Sequence, residues 1–103
     1  MTIEMRKVGT ILDSRPAGRE AYLAIISRIP IAQVDVISGE FRDIVIDFAG
    51  VEVLTPSFAD EFITSIAEAH GGHVRLIHTQ DNITVRKTLA FLREEWGEKV
   101  LME

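Results

Sequence analysis

The chain has 103 residues, 47% of them hydrophobic and 26% charged, with a formal net charge of −5. This length and balance suit one folded domain over residues 1–103 with one hydrophobic core, and they exclude wholesale disorder. The acidic surface would repel nucleic acid and anionic membranes, and the absence of cysteine excludes disulfides, thiolate metal sites and cysteine nucleophiles.

The first part of the chain predicts a strand followed by a helix. Residues 2–8 alternate loosely between apolar and polar, as a half-buried strand does. The segment DSRP at residues 13–16 offers N-cap oxygens and a proline suited to a first helical turn. The apolar series that follows predicts a helix ending before Pro30, and residues 30–43, which lack a clear pattern, are predicted as a loop.

The middle of the chain predicts a buried strand and an amphipathic helix. The β-branched run IVIDF at residues 44–48 is typical of a central strand covered on both faces. A turn around Gly50 precedes the helix, which Gly71 and Gly72 end, because glycine readily adopts the left-handed conformation of a helix C-cap. The predicted buried positions of this helix are Phe58, Phe62, Ile66 and Ala69.

The last part predicts a further strand at residues 73–78 and a final helix that closes the domain. Asp81 and Asn82 form its cap, and its apolar face consists of Val85, Leu89, Leu92 and Trp96. Strands separated by helices predict right-handed crossovers and parallel central pairing, with an antiparallel edge from the N-terminal strand as an alternative. The predicted class is α/β, with a small mixed, mainly parallel sheet and about three helices.

The segment DFAGVEVLTPSFADEF, residues 47–62, carries a family resemblance. Its Asp47-Phe48 and Gly50-Val51 pairs and the run SFADE at residues 57–61 resemble the central motif of the STAS-like domain of unknown function, a bacterial group related to anti-sigma-factor antagonists. Arg15 and the Gly18-Arg19 pair resemble an upstream element of that group. The resemblance implies a single-domain STAS-like αβ sandwich without catalytic activity, often accompanied by ATPases that resemble histidine kinases.

Ser57 is the first candidate functional residue. The wider STAS pattern places an acid, two serines and a glycine where this chain has residues 55–58, and Ser57 falls where anti-sigma-factor antagonists are phosphorylated. A helix N-terminus can receive a phosphate, although Asp60 and Glu61 would repel one within the same turn. The structural alternatives are a capping box of Ser57 with Asp60, or Thr55 before the proline as the N-cap.

Charged residues around this helix start have both functional and structural interpretations. Asp60 and Glu61 suit the positive end of a helix and could also contact a partner. Arg15 and Arg19, four residues apart, could bind a phosphate, a nucleotide or this acidic pair, or form a solvated helix face. Asp47, at the end of a buried strand, is predicted to accept hydrogen bonds from loop amides.

We predict neither a metal site nor a cofactor. His70 is interpreted as complementing the end of the helix dipole, and His73 and His78 would point to opposite faces of a strand. The chain also lacks a G-x-S-x-G nucleophile elbow and a glycine-rich phosphate loop.

Three functional hypotheses follow. The leading one is a cytoplasmic, non-catalytic regulatory domain that binds a protein partner, such as a histidine-kinase-like ATPase, through residues 55–61; no apolar run is long enough for a signal peptide or a membrane span. The second adds a switch by phosphorylation of Ser57. The third is a small hydrolase or phosphotransfer enzyme that uses Asp47, Ser57 and a histidine.

Overall fold

The structure, a computed structural model, describes residues 1–28, 44–71 and 73–102. The loop predicted at residues 30–43 therefore lies outside the described residues. None of the described helices is long and apolar enough to cross a membrane. The strands are β1 (Thr2–Glu4), β2 (Ile11–Leu12), β3 (Ile44–Asp47), β4 (Val53–Leu54), β5 (Val74–Ile77) and β6 (Val100–Met102), and the helices are α1 (Arg15–Ile25), α2 (Pro56–His70) and α3 (Ile83–Trp96).

The main sheet has four strands in the order β1-β3-β5-β6. In its centre, Ile46 pairs with Ile3 on one side and with Leu76 on the other. Ile44 and Ile46 are fully buried, whereas Val45 between them is half-buried. The prediction of a central strand at β3 is confirmed, but the described residues cover its second face only in part.

Every strand pair among the described residues is parallel, which confirms the α/β class with three helices and mainly parallel pairing. The N-terminal strand β1 is parallel to β3, so the antiparallel alternative is wrong. This strand also ends at Glu4, earlier than predicted, because Met5 starts a 3-10 turn, Met5–Lys7. Met5 nevertheless stays fully buried, so the apolar position that suggested a longer strand is satisfied by the turn.

A second, two-stranded sheet of β2 and β4 was not predicted. The strands are short, and a two-residue strand gives no detectable alternation. The hydroxyl of Thr84 donates to the carbonyl of Glu52 at 2.9 Å, and that of Thr88 donates to the carbonyl of Leu54 at 2.6 Å. Helix α3 thus supplies hydrogen-bond donors to the carbonyls of Leu54 in β4 and of Glu52 just before it.

The first two helices begin at predicted caps, and the second ends at a predicted glycine. The Ser14 hydroxyl accepts a hydrogen bond from the Ala17 amide at 3.3 Å before α1, and Gly71, with φ of 73°, ends α2 in the left-handed conformation. The buried face of α2 corrects one prediction, because Ala69 is exposed and His70 is fully buried. The full buried set of α2 is Phe58, Ala59, Phe62, Ile63, Ile66, Ala67 and His70.

The last helix has the predicted cap and buried face, but it does not close the domain. Asn82 accepts hydrogen bonds from the amides of Thr84 and Val85 at 2.8 and 3.3 Å. After α3, Gly97 adopts φ of 61°, and the chain continues into β6, which pairs with β5. The strand was missed because its three residues follow the helical pattern with only one separating turn, Gly97–Lys99.

Candidate functional site

The start of α2 is capped by Thr55, and Ser57 is the second residue of the helix. The Thr55 hydroxyl oxygen accepts from the Phe58 amide and donates to the Leu12 carbonyl, both at 3.4 Å. Ser57 is exposed, and its side chain has no hydrogen-bond partner among the residues that the structure describes. The predicted capping box of Ser57 and Asp60 is therefore wrong, and the alternative cap at Thr55 is correct.

The acidic pair on the next turn of α2 is bound by an arginine of α1. Arg15 donates from its Nη1 to Oδ2 of Asp60 at 3.0 Å and to Oε2 of Glu61 at 3.1 Å. The hydrogen bonds to Asp60 and then to Glu61 raise the pKa of Arg15 above its ordinary value. Of the alternatives for the arginines, the structure forms the one in which they bind the acidic pair.

Arg19 has a weaker part in this cluster. Its Nη1 lies 4.0 Å from Oε1 of Glu61, at the limit of an ion pair, and its guanidinium carbon lies 5.4 Å from the centre of the Tyr22 ring. About half of each arginine side chain is exposed, at 53% for both Arg15 and Arg19. Both cations therefore stay accessible to an anionic group on a partner while they contact their own chain.

Gly18 sets the spacing of the helices that carry these charges. A Cβ atom at this position would lie 2.8 Å from the Phe58 carbonyl oxygen and 3.2 Å from the Cβ of Glu61. Only glycine allows α1 to approach the first turn of α2 this closely. The close approach brings the side chain of Arg15 to Asp60 and Glu61, one turn beyond Ser57.

A second polar pair, which the sequence did not predict, joins Asp47 to His78. The Oδ1 of Asp47 accepts a hydrogen bond from the Ala49 amide at 2.9 Å, as predicted for this carboxylate, and lies 2.7 Å from Nδ1 of His78. Because β3 and β5 are parallel neighbours, their carboxyl ends meet at one edge of the sheet. The residues are 31 positions apart, and no local spacing could have paired them.

The pKa values of this pair move in opposite directions. Burial by itself would raise the pKa of Asp47, but hydrogen bonds from Ala49 and His78 and the charge of Arg6 lower it below its ordinary value. The hydrogen bond and charge of Asp47 raise the pKa of His78, and Asp81 adds a smaller effect in the same direction. Ser57 forms no hydrogen bond with either member of the pair among the described residues, so the hypothetical Asp47, histidine and Ser57 arrangement does not assemble there.

The three histidines do not come together. His70 is buried in the last turn of α2, His73 is exposed just before β5, and His78 follows the strand. Within residues 1–28, 44–71 and 73–102, no group of three histidine, aspartate or glutamate side chains could hold a metal ion.

Two cavities lie away from Ser57 and the acidic pair. One cavity of about 430 Å³ is lined by Ala67, Gly71 and His73 among others. Another of about 500 Å³ lies between β1 and α1, with Ile3 and Ala24 in its lining. Neither of these two cavities is lined by residues 55–57 or by the acidic pair.

Comparison with known proteins identifies a family. A search of the curated proteins and a search of the solved structures each gave no significant match. The model of one protein family, described as a STAS-like domain of unknown function, matches residues 32–84. The match includes Asp47, Ser57, the acidic pair and His78, whereas the Arg15 and Gly18-Arg19 element lies before it. Since the matched residues make up more than half of the chain, the protein belongs to the family of STAS-like domains of unknown function.

Proposed function

We propose that this protein is a cytoplasmic, non-catalytic regulatory domain that binds a signalling protein through residues 55–61. The observation that carries the proposal is the exposed hydroxyl of Ser57, which makes no hydrogen bond within the described residues while its neighbour Thr55 caps the helix. Among the described residues, Ser57 neither caps the helix nor belongs to the buried core. Its position at the positive end of the helix dipole suits a polar contact with a partner.

The neighbouring charges favour a protein partner over a small molecule. Asp60 and Glu61 are held by Arg15 in one geometry, so a partner could recognise them with little loss of side-chain entropy. Neither the cavity of about 430 Å³ nor the cavity of about 500 Å³ includes Ser57 or these acids, whereas small-molecule sites are concave. The partly exposed, polar and preorganised side chains fit the polar rim of a protein interface.

The family supports one class of partner. STAS-like domains resemble anti-sigma-factor antagonists, and the resemblance implies an ATPase of the histidine-kinase type as the partner. We expect such an ATPase to contact the first turn of α2, where Ser57 and the acidic pair occupy adjoining turns of the same helix.

A matched pair of substitutions tests this surface. Isothermal titration with the histidine-kinase-like ATPases of the source organism would compare the wild-type chain with Ser57→Arg and Ala69→Arg, which place the same side chain at exposed positions near opposite ends of α2. We expect Ser57→Arg to weaken binding by about thirtyfold, equivalent to about 2 kcal/mol, and Ala69→Arg to leave it unchanged. Equal affinities for all three chains would exclude residues 55–61 as the interface.

A phosphorylation switch at Ser57 is the second candidate function, and one observation favours it. Asp60 and Glu61 are already paired with Arg15, so a phosphate on Ser57 would meet less uncompensated negative charge than the sequence alone suggests. Intact mass before and after phosphatase treatment of the chain from cells with an active partner kinase tests this idea. An unmodified Ser57 in those cells would rule the switch out and leave the binding surface in place.

A further inference from the structure

The Asp47 and His78 pair lies at the carboxyl ends of two parallel strands, on elements other than the start of α2. Open parallel sheets bind ligands outside the carboxyl ends of their strands, because helix N-termini and loops converge there. In this chain the edge carries the imidazole of His78 in contact with the carboxylate of Asp47. The side chain of His78 is 51% exposed. The pair therefore combines a defined geometry with access from solvent.

The contact with Asp47 determines which nitrogen of His78 is available. An ionised carboxylate only accepts hydrogen bonds, so Nδ1 of His78 carries the hydrogen directed at Asp47 Oδ1, 2.7 Å away. In the neutral ring this leaves the lone pair on Nε2, for which no hydrogen bond is found among the described residues. Asp47 is itself fixed by the Ala49 amide, so the ring is held by an anchored carboxylate.

The backbone at His78 is also unusual. Its φ of 54° is in the left-handed region, which few non-glycine residues adopt. Such a conformation costs free energy and often marks a position where the side chain must be directed to a particular place. Here the left-handed conformation of His78 turns the chain away from the end of β5, and the His78 ring contacts Asp47 at the end of β3.

The surrounding charges are mixed. Asp81 adds negative charge beside His78, whereas Arg6 lies close enough to lower the pKa of Asp47, and its side chain is 58% exposed. Arg6 also extends along the turn after β3, where its Cδ would lie 3.6 Å from a Cβ atom at Gly50. The guanidinium of Arg6 already pairs with Glu4, with Nη2 3.2 Å from Oε1, and its other N–H groups can bind an anionic group that approaches the ring.

We propose that Nε2 of His78 is a phosphoryl-acceptor site, with Asp47 as the residue that orients and polarises the ring. The donor class is an activated phosphoryl compound with a good leaving group. The lone pair of Nε2 forms a bond to phosphorus while the bond from phosphorus to the leaving group breaks, and the leaving group takes the electron pair. The ring then carries a positive charge, which the bond from Nδ1–H to Asp47 stabilises.

Phosphoramidate is the probe for this site, since its zwitterion transfers the phosphoryl group and releases ammonia. The wild-type chain provides an internal control, because His73 is also exposed but has no carboxylate bound to its ring among the described residues. The reaction is run at mildly alkaline pH, because only an unprotonated ring nitrogen has a lone pair to donate to phosphorus. Peptide mapping at neutral pH measures each site, and loss of the label in acid distinguishes phosphohistidine from phosphoserine.

We expect His78 to be phosphorylated about tenfold faster than His73, the lower end of the effect that a carboxylate partner has on a metal-binding histidine. In Asp47→Asn, which keeps an oxygen acceptor but loses the charge, the rate at His78 should fall toward that of His73 while circular dichroism stays unchanged. Equal rates at the two histidines of the wild-type chain would overturn the proposal without any variant. An unchanged rate at His78 in folded Asp47→Asn would also overturn it.

Discussion

Trp96 on α3 donates a hydrogen bond from its indole Nε1 to the hydroxyl oxygen of Thr64 on α2, at 2.8 Å. The same hydroxyl donates to Oδ1 of Asp60 at 3.2 Å, and the other oxygen of Asp60 accepts from Arg15 on α1. A continuous series of hydrogen bonds thus connects the three helices. One acid of the proposed binding surface is therefore oriented from the core as well as from the surface.

Replacing Thr64 by valine should break this series with little change in side-chain shape. The buried N–H of Trp96, which is 6% exposed as a residue, would lose its acceptor, and we expect a loss of about 1–3 kcal/mol in the free energy of unfolding. Urea denaturation followed by the fluorescence of the single tryptophan measures it. Thr64→Ser keeps the hydroxyl, so its free energy of unfolding should fall much less. Equal losses in both variants would contradict a stabilising role for the Thr64 hydroxyl as the acceptor for Trp96.

Substitution of Gly18 tests the close approach of α1 to α2. In Gly18→Ala the new Cβ would meet the backbone oxygen of Phe58 at 2.8 Å, so the helices must separate. Overpacking of this kind costs about 1–3 kcal/mol, which should exceed the gain of about 1 kcal/mol from alanine's higher helix propensity. Chemical denaturation should therefore show a net loss of stability.

The control for Gly18 is the reverse exchange at an exposed site of the same helix. Ala24→Gly should cost about 0.5–1 kcal/mol from helix propensity alone. If Gly18→Ala instead stabilised the chain by that amount, the two helices would not be in contact at Gly18.

The assignment of the cap at α2 predicts different effects for two neighbouring hydroxyl residues. Thr55→Ala removes the acceptor for the Phe58 amide and should cost about 1 kcal/mol in the free energy of unfolding. Ser57→Ala removes an exposed hydroxyl that makes no bond among the described residues, so its effect should stay within about 0.5 kcal/mol. A larger loss for Ser57→Ala than for Thr55→Ala would show that Ser57 is the cap.

The elements that could be predicted from sequence are those with a long periodic signal or specific capping residues. Strand β3, the three helices and the glycine stop at Gly71 were all predicted, because burial repeats and caps are local properties. The three-residue β6 and the two-residue strands β2 and β4 were missed, since such short elements depend on pairing with distant partners.

The candidate site likewise contains residues that could be predicted from a local motif and a contact that could not. Ser57 and its acidic neighbours were found from a contiguous motif, and the pairing of Arg15 with Asp60 was among the stated alternatives. The contact between Asp47 and His78 was missed, because only the parallel register of β3 and β5 brings the two residues together. The sequences of these strands, IVID and VRLI, do not indicate which residues at their ends will lie side by side in the sheet.

The cluster around Arg15 should make stability depend on salt. Its pairs with Asp60 and Glu61 are partly exposed, so ions screen them, and the Debye length falls from about 10 Å at 0.1 M to about 3 Å at 1 M. We expect Arg15→Gln to lower the unfolding midpoint at low ionic strength, with the difference from wild type shrinking as sodium chloride is added. A difference that does not depend on salt would mean that packing of the side chain, rather than charge, is responsible.

The pair of Asp47 and His78 predicts a specific pH dependence. The pKa of His78 is raised above 6.5 in the folded chain, so its contribution to stability is complete below that value and is lost as pH rises through the raised pKa. The pKa of Asp47 is lowered below 3.8, so its contribution is present above that value and is lost as pH falls through the lowered pKa. The pair should therefore stabilise the fold most between about pH 4 and pH 6.5.

His78→Asn measures this contribution separately from the backbone, because asparagine also tolerates the left-handed conformation at φ of 54°. The difference in unfolding free energy between wild type and His78→Asn should be largest near pH 5 and should decrease toward pH 9 as the imidazole loses its proton. In an Asp47→Asn background, the same substitution should lose most of that pH dependence, with Asp81 accounting for the remainder. Identical pH profiles in the two backgrounds would show that His78 titrates independently of Asp47, and the hydrogen bond between them would then have no energetic role in the folded chain.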